Sequence, residues 1–112
     1  MIIDFNKIET TVLNNFKGGE KHYKAKMFSD ENNKIMYGVL ENGCSIGLHT
    51  HETNSEIIYI LDGVGKMIYD DTVEILKKGD CHYCPIGHTH SLINENDEDL
   101  VFFAVVPEHN RK

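Results

Sequence analysis

The chain has 112 residues, 40% of them hydrophobic, and a formal net charge of −7. That length suits one domain, and the acidic balance without a Lys/Arg stripe argues against nucleic acid and against an anionic membrane surface as partners. No apolar run approaches the ~18 residues of a spanning helix, and Met1-Ile2-Ile3-Asp4-Phe5 lacks the basic and apolar regions of a secretory signal, so a cytoplasmic location is expected.

Residues 1–20 form an N-terminal arm with no clean period: Ile2, Ile3, Phe5, Ile8, Val12, Leu13 and Phe16 fit either a short helix or an extended segment, and Gly18-Gly19 ends it. Residues 21–112 then read as one domain of short strands. Strands are predicted at 24–28, 34–41, 45–50, 55–61, 64–69, 72–77, 80–84, 89–94 and 99–106. The breaks between them carry turn chemistry: Asn32-Asn33, Asn42-Gly43, Asp62-Gly63, Asp70-Asp71 and Lys78-Gly79. Pro85 has no amide to give a ladder and should end a strand. About nine strands at this spacing, with no long helical period, indicate an all-β sandwich, jelly roll or small barrel.

There are seven histidines, and five fall between His49 and His90. His49 and His51 stand two apart on a predicted strand, so their side chains share a face and suit convergence on one ion. Glu56 opens the next strand, on the same face as Ile58 and Ile60, which predicts an inward carboxylate. Such a group is costly in an apolar row unless it is paired or bound to a cation. His90 comes from a third region, beyond Pro85-Ile86-Gly87. Spacing alone leaves two readings open, a metal site or ordinary core and surface histidines.

The motifs add more. Gly43-CSIGL-His49-Thr50-His51-ETNS-Glu56-IIYILD-Gly63 and Gly79-DCHYC-Pro85-Ile86-Gly87-HT-His90-SLI-Asn94 resemble both conserved motifs of the cupin superfamily, each complete, with fifteen residues between Gly63 and Gly79. The resemblance implies a jelly-roll β-barrel, often dimeric, and it implies His49, His51, Glu56 and His90 as ligands of one metal. Glu52 lies off the motif, in the turn. Three imidazoles and one carboxylate suit a divalent transition metal (Fe, Mn, Ni, Co, Cu or Zn) better than Ca²⁺ or Mg²⁺. Four ligands on an octahedral ion leave two positions for a small oxygen-rich molecule. The implied function is a metal-dependent enzyme of dioxygenase, isomerase, decarboxylase or lyase type, or a module that binds or senses a small ligand without turnover.

Gly43, Gly63 and Gly79 suit turns with positive φ or close approach. Pro85 and Gly87 should shape the corner that aims His90 inward, and Asn94, sharing strand parity with His90, should bond either nearby backbone or a group that supports the ligands. The three cysteines, Cys44, Cys81 and Cys84, are expected as reduced thiols. Cys81 and Cys84 are three apart in a strand, so they should face opposite sides and not share an ion. One of them could line the cavity singly, and Tyr83, on the face of Cys81, either reaches the pocket or packs elsewhere; His82 takes the opposite face. His88 should sit at the rim, and His22 and His109 on the surface. The run Leu100 to Val106 predicts a strand covered on both faces, by the core and by either a homodimer partner or the N-terminal arm.

Overall fold

The computed structural model describes residues 1–109. Ten strands follow one another: β1 (Thr11–Asn14), β2 (His22–Ser29), β3 (Asn33–Leu40), β4 (His49–Thr50), β5 (Glu56–Asp62), β6 (Val64–Tyr69), β7 (Thr72–Lys77), β8 (Cys81–Cys84), β9 (Thr89–Ile93) and β10 (Leu100–Pro107). The only helical pieces among the described residues are single 3₁₀ turns at Phe5–Lys7 and Phe16–Gly18. All nine strands expected after residue 20 are present. The arm adds a tenth, because Thr11–Asn14 pairs antiparallel with β2.

The strands form two sheets, ordered β1-β2-β3-β10-β5-β8 and β4-β9-β6-β7. From β3 onward the chain crosses between them at every connection except the β6–β7 hairpin, so each crossing needs a sharp corner. Gly63 makes the one between β5 and β6: its φ is +84°, and a Cβ there would lie 2.4 Å from the Asp99 carbonyl oxygen. Gly43 and Gly79 also adopt positive φ, as their motif positions suggested. The expectation of a barrel needs one correction. No hydrogen-bonded ladder joins the two sheets among the described residues, so the architecture is a two-sheet jelly roll closed by side-chain packing.

Strand parity sets the core. Ile58 and Ile60 of β5, Phe102 and Ala104 of β10, and Met36 and Leu40 of β3 face Met67 of β6 and Leu92 of β9. Gly38 points inward where a Cβ would strike both Phe102 and Tyr23 at under 3 Å, and its bare backbone lets those rings stack at 5.7 Å. On the outer side of the large sheet Phe5 packs against Tyr37 and Phe103, so the arm shields part of β10.

The strand predicted at 45–50 shrinks to His49–Thr50, with an isolated bridge at Ser45. The cause lies in competing partners. The Ile46 and Ser45 amides bond Leu92 and Glu20 carbonyls respectively, and the Gly47 amide bonds the Phe16 carbonyl. The segment is therefore shared between β9 and the arm, and no continuous ladder forms.

Candidate metal centre

Four side chains meet between the sheets. β4 carries His49, register-paired with His90 on β9. His51 follows β4 and is clamped to the Pro85–His88 corner: its amide bonds the His88 carbonyl at 3.1 Å and its carbonyl accepts from the Gly87 amide at 2.7 Å. The corner thus positions His51 directly. Glu56 begins β5, opposite Cys84, and points inward as its parity with Ile58 predicted. All but His49 are buried, and His49 is nearly so.

Three contacts settle which imidazole nitrogen carries the proton. His49 Nδ1 donates to the Gly47 carbonyl at 2.7 Å, which can only accept. His51 Nδ1 donates to Asn54 Oδ1, and the Asn54 amide nitrogen in turn donates to Glu108 at 2.9 Å, which fixes its orientation. On the third side, His82 Nδ1 donates to Glu74 Oε1 at 2.7 Å, so the His82 Nε2 lone pair accepts from His90 Nδ1 at 3.1 Å. Each ligand-facing Nε2 therefore presents a lone pair to the same point.

The spacing there is tight. His90 Nε2 lies 2.9 Å from His51 Nε2 and 3.2 Å from His49 Nε2. Glu56 Oε1 lies 3.0 Å from His90, 3.2 Å from His51 and 4.0 Å from His49. Lone pairs so close repel unless a cation or a proton sits among them. Donors about 2.1 Å from an octahedral ion would lie about 3.0 Å apart at right angles and about 4.2 Å apart when opposite. The four side chains can therefore hold one metal ion, and their spacing fits that donor set.

A second group, His82, Cys84 and His90, also has its donor atoms close together. It is the weaker candidate. Burial first, and then the Glu56 charge, push the Cys84 thiol up to about 12, so it offers no thiolate at neutral pH. Both His82 nitrogens are already engaged.

The electrostatics follow from this packing. Burial alone would raise the Glu56 carboxyl, but in the metal-free protein, where protons on Nε2 take the ion's place, hydrogen bonds from His51 and His90 outweigh it and bring the group down to about 2. Burial lowers His49 below the ordinary 6.5. Burial works on His51 the same way, yet its bonds to Glu56 and Asn54 leave it raised above 6.5. A metal must displace any proton from His51, so metal affinity should fall as pH drops through that raised midpoint. In the metal-free protein the sign reverses for His51. Its contribution to stability is full below 6.5 and lost as pH rises, while that of Glu56 is present above 4.5 and lost on descent toward 2. Thermal melts with and without metal should show the metal-induced gain shrinking from pH about 7 to pH about 5; an unchanged gain would remove His51 from the site.

Cys84 is the inward cysteine and Cys81 the exposed one, so the two thiols do not converge. Tyr83 shares the outer face with Cys81 and does not reach the pocket. His88 is tied to Asp70 at 2.6 Å, away from the four ligand candidates, and Glu52 is exposed at the cavity rim. His109 is not a free surface group, because its Nε2 meets the Ser55 hydroxyl at 2.9 Å; His22 bonds Glu41 at 2.6 Å. Asn94 is fully buried and ties the Leu40 and Glu98 carbonyls together at 2.8 Å each, so it braces the 94–99 loop.

Sequence reasoning missed His82, Glu74 and Tyr23. A signal existed for His82: it shares parity with buried Cys84 and sits opposite Ile58, already assigned inward. Glu74 gave none. Tyr23 lines the cavity beside the site, with its hydroxyl on Met36 Sδ, and burial followed by the Glu56 charge keeps it a neutral phenol far above neutral pH.

Comparison with known proteins agrees with this fold. The family profile described as a cupin domain matches residues 36–106. The chain is a cupin. It is 31% identical to an oxalate-binding protein of Thermotoga maritima, over 95% of this chain and 93% of that one. A Thermotoga maritima structure described as a predicted oxalate decarboxylase superposes with a TM-score of 0.90 at 28% identity, covering 96% and 99% of the two chains. A sugar phosphate isomerase of the cupin superfamily from Silicibacter pomeroyi shares the fold, with a TM-score of 0.80 at 19% identity, over 96% of this cupin and 76% of that chain.

Proposed function

We propose that this cupin holds one divalent transition metal through His49, His51, Glu56 and His90, and that it binds a small oxygen-rich acid of the oxalate type at that ion. The observation that carries the reading is the tautomer pattern: three Nε2 lone pairs and one buried carboxylate aimed at a single point, with each Nδ1 proton held by an acceptor. The chemistry of that donor set selects Fe, Mn, Ni, Co, Cu or Zn. Four protein ligands leave room for two adjacent oxygens of a chelating acid. The oxalate-binding relative supports the ligand class.

This chain's own residues favour binding over turnover. Neither Tyr23, whose hydroxyl donates to Met36 Sδ, nor Cys84 offers a base at neutral pH. Every imidazole Nδ1 proton at the site is committed to Gly47, Asn54 or His82. A bound ion would polarise the carboxylate or carbonyl oxygens that reach it. Catalysis is the second reading, favoured by the relative described as a predicted decarboxylase. Reconstitution with each metal followed by titration with oxalate separates the two: stoichiometric metal-dependent binding without product supports the first, and release of CO₂ supports the second. Failure of oxalate to bind the loaded protein would overturn the oxalate-type assignment. The proposal extends to a cytoplasmic homodimer, paired through the exposed outer row Ile57, Tyr59 and Tyr83.

His82 has a positioning role in this scheme. Its chain of bonds runs from His90 Nδ1 through His82 to Glu74, and it locks His90 in the ligating tautomer. His82→Ala should lower metal affinity by roughly 10–100-fold, measured by competition with a chromophoric chelator. Cys81→Ser, on the outer face, serves as the control and should leave metal content unchanged.

A further inference from the structure

The cavity beside the four ligand candidates has a volume of about 290 Å³, the room of roughly ten water molecules. A two-carbon diacid chelated at the deep end would fill little of it. The remaining wall is mixed: Thr50, Thr53 and Asn54 lie on its polar side, and the other side is apolar. Phe16, Met36, Ile46 and Val106 line that apolar side, and Met36 and Ile46 belong to the buried core. Left facing water, that side would be an apolar surface without a partner.

Charge at the opening differs from charge over the chain. Lys17 and Lys34 line the cavity and are exposed, with Glu52 as the neighbouring acid at the rim. Lys17 is close enough for its ammonium to oppose protonation of His51. With a divalent ion bound against Glu56, the cavity is net positive inside a protein of net charge −7. Such a contrast concentrates anions at the site.

We infer that the ligand is a 2-oxo or 2-hydroxy acid with an unbranched apolar body of several carbons. Its two adjacent oxygens chelate the ion, and its chain lies along Phe16, Met36, Ile46 and Val106. The inference rests on the metal-chelation reading above and narrows its substrate class.

Full-length protein loaded with Mn²⁺ and titrated calorimetrically with oxalate, pyruvate, 2-oxobutyrate, 2-oxopentanoate and 2-oxohexanoate tests it. From pyruvate onward, each added methylene should tighten binding by about fourfold until the cavity is full. Val106→Phe, which occupies the wall, should flatten that dependence. Affinity that is level or falls with chain length overturns the inference and leaves the metal-chelation reading standing. A slope that survives Val106→Phe places the tail elsewhere and also overturns it. If none of the acids, oxalate included, binds the loaded protein, both readings fail.

Discussion

Replacing His90 with alanine is expected to abolish stoichiometric metal binding while the fold persists. His90 sits at the centre of the cluster, within 3.2 Å of His51, His49 and Glu56 alike. Its removal deletes one donor and also frees His82 to turn, so the loss should exceed the roughly 10–100-fold that an outlying partner costs. The fold should survive because the core around Ile58, Phe102, Leu40 and Met67 is apolar and packs without the ion. Elemental analysis after reconstitution checks the first half, and far-ultraviolet circular dichroism with a cooperative melt checks the second. A variant that retains one equivalent of metal would remove His90 from the ligand set.

Gly47→Ala is expected to be the most disruptive small substitution near the site. A Cβ at Gly47 would lie 1.9 Å from the Lys17 carbonyl oxygen and 2.7 Å from the Gly19 nitrogen, all rigid backbone. The arm segment 16–19 would have to move off, breaking the 3.0 Å bond from the Gly47 amide to the Phe16 carbonyl. Overpacking of this kind costs about 1–3 kcal/mol, and the lost backbone bond puts this case at the upper end. For a domain of this size that is a fall in Tm of roughly 10–20 °C. Phe16 and Lys17 would leave the cavity wall with the segment, and the Gly47 carbonyl that orients His49 would shift, so acid binding should weaken as well. A melt within about 2 °C of the parent would show that the segment yields at no cost.

His49, His51, Glu56 and His90 were legible because strand alternation and two complete motifs carry local geometry, and the four side chains do converge. Alternation also held along β5, where Ile58 and Ile60 face in and Ile57 and Tyr59 face out. It left β8 undecided, since Cys-His-Tyr-Cys gives no apolar row to mark the inner side. Only pairing with β5 turned His82 and Cys84 inward and Cys81 and Tyr83 outward. The arm resisted reading for another reason. Asn15 and Lys17 adopt left-handed backbone, and the segment owes its shape to Gly47 and Ser45, some 30 residues away.

By itself, then, the sequence determined the all-β class, nine strand positions, the turn glycines and the four side chains of the candidate metal centre. These depend on the period of two and on backbone conformations that single residues dictate. The tertiary structure decided the two-sheet arrangement, the added strand of the arm, the Glu74–His82–His90 chain and the apolar wall of the cavity. Each of those arises from contacts between segments distant in the chain, and such contacts leave no periodic trace in the residues that make them.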